Sequence, residues 1–337
     1  MVTIKDVARE ANVAPSTVSR VISGHKSISE KTSKKVKAVM KQLGYQPNIA
    51  ARTLVTQKAK TIGLILKSSS KEMTQNPFFT DVLMGISIAC KEREYSTIMT
   101  TSIEQDDLIE EVENLIKSKS IDGFIMLYSK EQDPIAHLLK TYNVPFVVIG
   151  KQLQDRDIIH IDNDNIDASF EITEYMINKG HAHLAFIAEP DDYAVALDRI
   201  SGFKQACEKN NIQNYEIYHA NPDRDELLEI ITSMKKRNAF PSAIITSDSM
   251  ININLLSALY ALNIRIPDEV MTATFNDSFI NTYASPPQTV VNIYPDHLGE
   301  EAGIALIKLI ENPNILRKNT IVPTEIIERE STKIRGE

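Results

Sequence analysis

The sequence predicts an α/β protein in which a three-helix, helix-turn-helix head precedes two lobes built on doubly wound parallel sheets. Three observations favour this fold. Three short segments with helical spacing of apolar residues end before Gly44, and the first two are four residues apart. From Thr61 onward, short apolar runs alternate with amphipathic stretches, as in βαβ units. The first 60 residues contain 12 Lys and Arg against 3 Asp and Glu, a net charge of +9 in a chain of net charge −8.

The first two helices are predicted from caps and breakers. The first covers residues 3–11, where Thr3 can act as the N-cap. Asn12 follows, and asparagine tolerates the left-handed backbone that a tight turn requires. The second helix begins at Pro15, since proline is tolerated in a first turn, and ends near Gly24.

A third helix is predicted over 30–43, with Ser29 as its N-cap and Gly44 as its end. Residues 45–60 follow, and their stretch NIAARTLV has helical spacing. Such a helix is too short to be stable alone in water. We therefore predict a linker that becomes ordered only against something else.

The rest of the chain alternates between predicted strands and helices. The apolar runs that we interpret as strands are 61–66, 121–127, 145–150, 183–188, 242–247 and 270–275. The segments with helical periodicity are 78–93, 104–118, 166–179, 194–209, 223–237 and 249–262. Strands that alternate with helices predict mainly parallel sheets.

A short internal repeat suggests that the two lobes are similar. The segments 85–90 and 202–207 both begin with glycine and end with Ala-Cys, and each lies in a helix that follows an apolar run. Coincidence between two amphipathic helices explains the same match, because six residues are a weak signal. Cys90 and Cys207 lie far apart in the sequence, and we expect buried thiols rather than a disulfide.

The second helix combines an apolar side with an unusually bare polar side. Ser16 and Arg20 are four residues apart and share one face with Thr17, while Val18 and Val21 point to the core. Small side chains let a helix backbone approach base edges in the DNA major groove, where arginine can bind guanine. The alternative interpretation of this face is an ordinary surface helix that contacts only solvent. Likewise, the alternative interpretation of the basic N-terminal charge is a solvated charged surface.

Composition excludes several classes of protein. Apolar residues make up 42% of the chain and charged residues 24%, as in ordinary globular proteins. We see no apolar run long enough to span a membrane and no apolar signal core in MVTIKDVARE, so we expect a cytoplasmic protein.

We also predict that the chain is not an enzyme and holds no cofactor or metal. No HExxH, P-loop or Gly-x-Ser-x-Gly motif occurs in the sequence, and the two cysteines lie within amphipathic helices. The GHAH stretch at 180–183 has no nearby acidic or cysteine partner in sequence. A surface histidine pair before a strand is therefore favoured over a metal site.

Several motifs resemble the lactose-repressor/galactose-repressor family of bacterial transcription regulators. They are TIKDVAREANVAPSTVSRVISG, GYQPNIAARTL, NPFFTDVLMGI, IDNDN, GHAHLAFI, DRISGF, IPDEV and PPQTVV, and they span essentially the whole chain. Within the family, IGKQ and FNDSFINTYASPPQT are most similar to repressors of maltose operons. The resemblance implies a helix-turn-helix DNA-binding domain over 1–46 and a hinge helix and linker over 47–60.

The resemblance also implies which residues contact DNA. By this resemblance, Pro15, Ser16 and Arg20 occupy positions that contact base edges. Thr17 and Ser19 occupy positions that contact DNA phosphates. Leu54 takes the position of an apolar wedge in a central base step, although packing against its own lobe is an alternative. The complete set of implied DNA-binding residues is Thr3, Pro15, Ser16, Thr17, Ser19, Arg20, Asn48, Ala51, Arg52 and Leu54.

The remainder resembles periplasmic sugar-binding proteins, with two lobes crossed by three chain segments and a ligand between them. The N-terminal lobe is predicted over 61–160 with 292–321, and the C-terminal lobe over 161–291 with 322–337. Parallel sheets bind ligands at the carboxyl ends of their strands. The effector-binding residues expected there are Ser69, Asn76, Phe78, Phe79, Ser129, Lys151, Asp162, Tyr193, Arg199, Asp248, Asn276 and Asp277.

These residue types suit a sugar, because planar polar groups bind adjacent hydroxyls and aromatic rings cover C–H faces. Arg199 and Asp248 match the family positions best, whereas Asn276 stands where most members have Asp. Local roles are the alternatives: a salt bridge for Arg199, an N-cap for Asp248 and core packing for Phe79.

The resemblance therefore predicts a homodimeric repressor that a maltose-like sugar releases from a palindromic operator. A corepressor mode, in which a metabolite or a phosphoprotein strengthens DNA binding, is the alternative within the family. A sugar-binding receptor without a DNA role is the alternative from another class. That receptor has no use for the basic N-terminal residues.

Overall fold

The structure is a computed structural model that describes residues 2–22, 25, 27–45, 58–66, 75–130, 132–151, 157–190, 194–237 and 240–333. The chain divides into two compact units. The first consists of Met1–Lys60 and Leu115–Asp122, and the second of Thr61–Asn114 and Gly123–Glu337. Several predicted features lie outside the described residues: the hinge helix at 48–55, with Asn48, Ala51, Arg52 and Leu54, as well as Gly24, Ser69 and Tyr193.

Three helices form the first unit, at the predicted places: α1 (Ile4–Ala11), α2 (Pro15–Ile22) and α3 (Glu30–Leu43). Asn12 has a φ of 50° and Gly44 a φ of 62°, so both helix ends use the left-handed backbone. The small core that holds the helices together consists of Val7, Ala8, Ala11, Val18, Val21, Val36 and Val39.

The first sheet of the second unit is entirely parallel. Its strands are β1 (Thr61–Ile65), β2 (Ser96–Met99), β3 (Gly123–Met126), β4 (Phe146–Ile149), β5 (Ile159–Asp162) and β11 (Thr320–Ile321), in the spatial order β11-β5-β4-β3-β1-β2. The helices of this part are α4 (Pro77–Glu92), α5 (Gln105–Lys117), α6 (Pro134–Thr141) and α12 (Pro295–Glu311). We call this sheet with α4, α6 and α12 the first lobe.

The second sheet has the same winding and one antiparallel edge. Its strands are β6 (His183–Ala188), β7 (Asn214–His219), β8 (Ala243–Thr246), β9 (Met271–Phe275), β10 (Thr289–Asn292) and β12 (Glu325–Ile327), ordered β12-β10-β9-β8-β6-β7. The helices are α7 (Asn165–Asn178), α8 (Ala194–Lys209), α9 (Arg224–Lys236), α10 (Ser249–Ala261) and the short α11 (Phe279–Thr282), and Glu330–Thr332 forms a 3₁₀ turn. We call this sheet with α7 to α10 the second lobe. Buried clusters cover both of its faces, as a doubly wound sheet requires.

The glycine-to-cysteine repeat marks equivalent helices in the two lobes. Gly85 lies in α4 and Gly202 in α8, and each lets a second helix approach closely. A Cβ at Gly85 would lie 1.8 Å from the carbonyl oxygen of Asp296, and a Cβ at Gly202 would lie 2.0 Å from that of Ile166. The strand orders β2-β1-β3-β4-β5 and β7-β6-β8-β9-β10 also correspond. Helix packing therefore gives the repeat a physical reason.

The predicted apolar runs miss the strands β2, β5, β7, β10, β11 and β12, of which β5 and β10 are largely buried. All four residues of β2 are exposed, so no apolar run identifies this edge strand. Helix α12 is also missed, because its apolar residues come after the last of the apolar runs. It packs on α4 and on β3, β4 and β5 and contributes Leu298, Leu306 and Ile307 to the first-lobe core.

One buried asparagine joins the three chain segments that pass between the lobes. Those segments follow β5, β10 and β11. The Nδ2 group of Asn163 donates to the carbonyl oxygen of Ile293 at 3.1 Å and to that of Val322 at 2.9 Å. Asn163 is 5% exposed, so water does not compete for these bonds.

We expect Asn163→Leu to lower the free energy of unfolding by about 1–3 kcal/mol, because two buried carbonyls lose their donor. Asn163→Asp should lower it further, since a carboxylate oxygen would then face both carbonyls. Urea unfolding of both variants measures the effect, with Asn314→Ala on the exposed surface as the control. Equal stability of Asn163→Leu and the parent protein would contradict a linking role.

Candidate functional site

Helix α2 exposes the polar face that the sequence predicts. Val18 and Val21 are buried, whereas Pro15, Ser16 and Arg20 are exposed. Short side chains and one guanidinium therefore lie on the accessible side of the helix. This arrangement can enter a major groove without steric obstruction from long side chains.

The other residues predicted for DNA contact in the described head are less accessible or already bonded. Thr17 and Ser19 are half-buried. The backbone N–H and the hydroxyl of Thr3 donate to one Asp6 carboxylate oxygen, at 3.0 and 2.7 Å. These two bonds, followed by the charge of Arg9, lower the pKa of Asp6. Thr3 thus stabilises the start of α1, and its DNA contact stays a prediction.

In the second unit, Arg199 is the centre of a buried polar cluster at the carboxyl ends of the second-lobe strands. Its Nε donates to Oδ1 of Asn165 at 3.0 Å, and its Nη1 donates to the carbonyl oxygen of Ser247. The guanidinium carbon lies 4.1 Å from the centre of the Phe275 ring. Burial lowers the pKa of Arg199, and the carboxylates of Glu189 and other acids oppose this shift. A fixed cation is therefore available at this edge of the sheet.

The charges of four carboxylates act on the Arg199 guanidinium and favour its charged form. They belong to Asp162, Glu189, Asp198 and Asp248. Burial raises the pKa of Asp162 to about 6, against the opposing effects of a bond from the Asn163 N–H and the charge of Arg199. Burial and the charge of Glu189 also raise the pKa of Asp248. The cluster holds more negative than positive charge, so hydroxyl donors of a ligand would find several acceptors.

We expect Asp162→Asn to stabilise the fold at neutral pH. The raised pKa means that the folded state binds a proton more readily than the unfolded chain, so Asp162 lowers stability as pH rises from about 4 to above 6. The stability gain of the variant should therefore grow over that range, to at most about 3 kcal/mol. Urea titrations at several pH values measure it, with Asp106→Asn as an exposed control. A gain that does not depend on pH would contradict the assignment.

Two N-cap residues link the first lobe to the second. Asn76 caps α4 by accepting from the Phe78 N–H at 3.0 Å, and Asp248 caps α10 by accepting from the Met250 N–H at 2.6 Å. The Asn76 Nδ2 group also donates to Asp248 Oδ2 at 3.3 Å. The N-cap alternative for Asp248 is therefore real, and the same carboxylate is half-buried beside the Arg199 cluster.

A salt bridge forms a second link between the lobes. The Nζ of Lys151, which follows β4, lies 2.5 Å from Oδ1 of Asp198 in α8. The hydroxyl of Ser129, which follows β3, donates to the Lys151 carbonyl oxygen at 2.7 Å. Ser129 therefore holds the backbone of Lys151, whose side chain extends from the first lobe to Asp198 in the second.

Asn276 presents a buried amide without a hydrogen-bond partner among the described residues. The residue is 2% exposed and has a φ of 74°, and neither its Oδ1 nor its Nδ2 has a hydrogen bond among the described residues. Leaving such a group unpaired is costly unless a ligand completes its bonds. Asp277 differs, because its carboxylate forms a salt bridge of 2.8 Å with Arg329.

The two phenylalanines at the start of α4 have different surroundings. Phe78 packs against the core clusters of both lobes, whereas Phe79 packs against that of the first lobe. Their rings meet edge to face, with centroids 5.4 Å apart. Phe79 thus packs on the core and its contact with the effector stays a prediction, whereas Phe78 lies where the two lobes meet.

Sequence reasoning missed two residues of the Arg199 cluster. Glu189 directly follows β6 and accepts from the Ser247 hydroxyl, and its position after an apolar run is a signal that could have identified it. Asn165 joins Asp162 to Arg199 from the first turn of α7. Asn165 ends the family motif IDNDN, but the sequence does not indicate its partner, because Arg199 lies 34 positions away.

Within the described ranges, no group of three or more His, Cys, Asp or Glu residues is placed to hold a metal ion. His183 Nε2 lies 3.6 Å from Glu216 Oε1, at the opposite end of β6 from the Arg199 cluster. None of the helices in the described part of the chain is both long and apolar enough to cross a membrane.

Comparison with known proteins decides the family. Residues 3–48 match the model of bacterial regulatory proteins, lacI family, and residues 173–332 match a periplasmic binding protein-like domain. The HTH-type transcriptional regulator MalR of Staphylococcus xylosus is 50% identical over 332 residues, which cover 98% of each chain. The chain belongs to the lacI family. This lacI-family protein is a DNA-binding transcriptional regulator with a repressor role.

Two solved structures support the same assignment. A probable maltose operon transcriptional repressor malR from Staphylococcus aureus is 41% identical, with a TM-score of 0.78 over 83% of this chain and 99% of that one. A complex of the transcriptional regulator CelR with cellobiose is 25% identical, with a TM-score of 0.75 over 98% and 100%. The predicted family and fold class are thus confirmed for this lacI-family chain.

Proposed function

We propose that this regulator represses genes of maltose or maltodextrin use and that a maltose-like sugar, bound between the lobes, releases it from a palindromic operator. The observation that carries the proposal is the buried amide of Asn276, which has no hydrogen bond within the described part of the chain and lies at the same strand ends as the Arg199 cluster. Sugar hydroxyls both donate and accept, so they can satisfy an amide and the carboxylates together. The names of the Staphylococcus relatives favour maltose among sugars.

The remaining effector contacts follow from position. Arg199 and Asp248 bind hydroxyls directly in this proposal, whereas Phe78 covers an apolar sugar face where the lobes meet. Lys151 and Asn76 sense the distance between the lobes, because each already forms a bond across it. Ser69 and Tyr193 belong to the proposed site on the family resemblance alone.

On the DNA side, α2 enters the major groove with Ser16 and Arg20 against base edges and Thr17 and Ser19 against phosphates. The proposed domains are 1–46 for DNA binding, 47–60 for the hinge, 61–160 with 292–321 for one lobe and 161–291 with 322–337 for the other. Two hinge helices fold together in the minor groove, where Leu54 is inserted at a base step.

Homodimer formation is supported by exposed apolar side chains on both lobes. Met84, Ile88 and Ile98 on the first lobe are 61%, 44% and 41% exposed. On the second lobe Tyr260 is 85% exposed and Tyr283 is 84% exposed. Met84 and Ile88 lie four residues apart on one face of α4, and adjacent exposed apolar side chains of this kind are typical of an interface. We propose that a second copy of the chain covers them and places two heads on one operator.

We further propose that the protein works in the cytoplasm and has no enzymatic activity. Its relatives are transcriptional regulators, and DNA is their site of action. Cys90 and Cys207 are buried, and burial raises the pKa of each thiol to about 11, so neither is an activated nucleophile.

Release from DNA requires that the sugar prefer the form that is off the operator. A ligand with equal affinity for both forms would not change DNA binding. By linkage, operator DNA must weaken sugar binding by the same factor by which the sugar weakens operator binding.

We expect purified protein to shift a palindromic fragment from its own maltose-gene promoter in an electrophoretic assay, and added maltose to reduce the shift. Deletion of residues 1–58 should abolish DNA binding and leave the calorimetric affinity for maltose nearly unchanged. A shift that maltose strengthens would favour the corepressor mode. Unchanged DNA binding after the deletion would contradict the head assignment, and turnover of maltose by the pure protein would contradict the absence of enzymatic activity.

A further inference from the structure

Asn276 lies in a backbone turn that is strained for most residues. It directly follows β9 and has a φ of 74°, in the left-handed region. Asparagine tolerates this region better than most residues do, but such a conformation persists only when neighbouring groups hold it. Its backbone N–H donates to the Val291 carbonyl oxygen at 2.9 Å. The groups that bind its carbonyl oxygen therefore complete the support of this turn.

The Asn276 carbonyl oxygen is bound by the side chain of Asn281, which lies in the short helix α11. The Nδ2 group of Asn281 donates to this oxygen at 2.8 Å and to the Ser249 hydroxyl at 2.8 Å. Because a carbonyl oxygen only accepts, the Asn281 amide must present its nitrogen here. The Ser249 hydroxyl lies 3.3 Å from the same carbonyl oxygen, so its bond is the longer one.

Asn281 is itself fixed by its neighbours. Its Oδ1 accepts from the Nδ2 group of Asn252 at 3.0 Å, and its backbone N–H donates to the Ser278 carbonyl oxygen at 3.0 Å. Its own carbonyl oxygen accepts from the Gln288 N–H at 2.9 Å. Asn281 is 0% exposed, so water does not compete for these bonds. The network therefore specifies one orientation of the Asn281 amide.

The neighbouring residue of the turn is held in a different way. The carboxylate of Asp277 pairs with Arg329 at 2.8 Å, and Arg329 Nη1 also donates to the Gln288 carbonyl oxygen at 3.1 Å. Asp277 thus uses its side chain to hold the turn. The bond from Asn281 uses the backbone of Asn276 instead, and so it leaves the Asn276 side chain to other partners.

We propose that Asn281 is a positioning residue of the effector site. It holds the Asn276 backbone in the left-handed conformation and thereby directs the Asn276 amide toward a bound sugar. This inference rests on the proposed function, in which Asn276 binds sugar hydroxyls. Asn281 acts through Asn276, because its own side chain is fully buried and bonded within the protein.

The role requires a donor at this position and not only a side chain of the right shape. Asn281→Asp keeps the shape but removes the N–H donor, and it places a carboxylate oxygen against the Asn276 carbonyl oxygen. Asn281→Ala removes the donor without adding a charge. Both variants should weaken sugar binding, and Asn281→Asp should weaken it at least as much.

Calorimetric titration of maltose into full-length variants tests the coupling between the two asparagines. Asn276→Gly removes the amide and accepts the positive φ, and it should weaken maltose binding by about tenfold. Asn281→Ala should weaken binding by about three- to tenfold in the parent protein, but by less than about twofold in the Asn276→Gly background. Losses that multiply in full in the double variant would overturn the proposal.

Ser331→Ala is the matched control. The buried Ser331 hydroxyl donates to the Thr272 carbonyl oxygen at 2.6 Å, so this variant removes a bond of the same kind elsewhere in the second lobe. Its stability in urea should fall, as that of Asn281→Ala should, whereas its affinity for maltose should stay at the parent value. Equal weakening of maltose binding by Ser331→Ala would mean that Asn281 acts only through stability, which overturns the proposal.

Crystal structures of the two full-length Asn281 variants without sugar give a readout that does not depend on maltose. Asn276 should leave the left-handed region or occupy more than one rotamer, whereas Ser331→Ala should keep the parent geometry. An unchanged Asn276 in both Asn281 variants would overturn the proposal. A parent protein that binds no maltose would contradict the proposed function instead, and the crystal structures would still decide the role of Asn281.

Discussion

Arg20→Ala is expected to weaken binding to the cognate operator by about 1–3 kcal/mol and to change binding to random DNA little. Arg20 is exposed on the face of α2 opposite to buried Val18 and Val21, so its loss removes no core contact. A guanidinium that binds two acceptors of guanine discriminates between bases, whereas phosphate contacts do not. The variant should also bind a site substituted at the contacted base as well as it binds the parent site.

Fluorescence anisotropy with cognate and random duplexes at two salt concentrations measures both quantities. Arg9→Ala is the control, because Arg9 is exposed on α1 and pairs with Asp6 at 2.8 Å. Equal losses on cognate and random DNA, with a salt dependence reduced by about one phosphate contact, would mean that Arg20 binds the backbone instead.

Arg199→Met should have the largest effect on the lobes, a loss of about 3–5 kcal/mol in the free energy of unfolding. The change leaves Asn165 Oδ1 and the Ser247 carbonyl oxygen without their donor in a buried site. It also removes the cation beside Asp162 and Asp248. Maltose binding should be lost in the protein that remains folded.

The pH dependence separates this cause from simple packing damage. Loss of the cation raises the pKa of Asp162 and Asp248 further, so the variant is destabilised more at pH 8 than at pH 5. Urea unfolding at both pH values provides the measurement, with Arg224→Met as an exposed control. A deficit that is the same at pH 5 and pH 8 would falsify the electrostatic explanation.

Local patterns account for much of the head and for the order of the lobes. Ser29 and Gly44 mark the ends of α3, and the apolar spacing of α2 identifies which side faces the core. Both features depend on neighbours within one or two helical turns, so they can be inferred from the sequence alone.

The residues of the Arg199 cluster were predictable only in part. Arg199 and Asp248 were expected from family motifs, and both belong to the buried cluster. Glu189 has a weak positional signal, and Asn165 lies in the family motif IDNDN, which does not indicate its partner. Asp248 also had an ordinary local interpretation, since aspartate and asparagine are among the preferred N-cap residues of helices.

The sequence by itself determined the three-helix head, the basic and acidic halves and the alternation of strands and helices, because these follow from short-range spacing and composition. Only the tertiary structure decided that Asn163 joins three crossing segments, that Asn276 is buried with no partner in the ranges that the structure describes, and that Lys151 reaches Asp198. Such contacts depend on which distant segments fold side by side. The packing of those distant segments sets the burial and the hydrogen-bond partners of each residue, and no local sequence pattern specifies that packing.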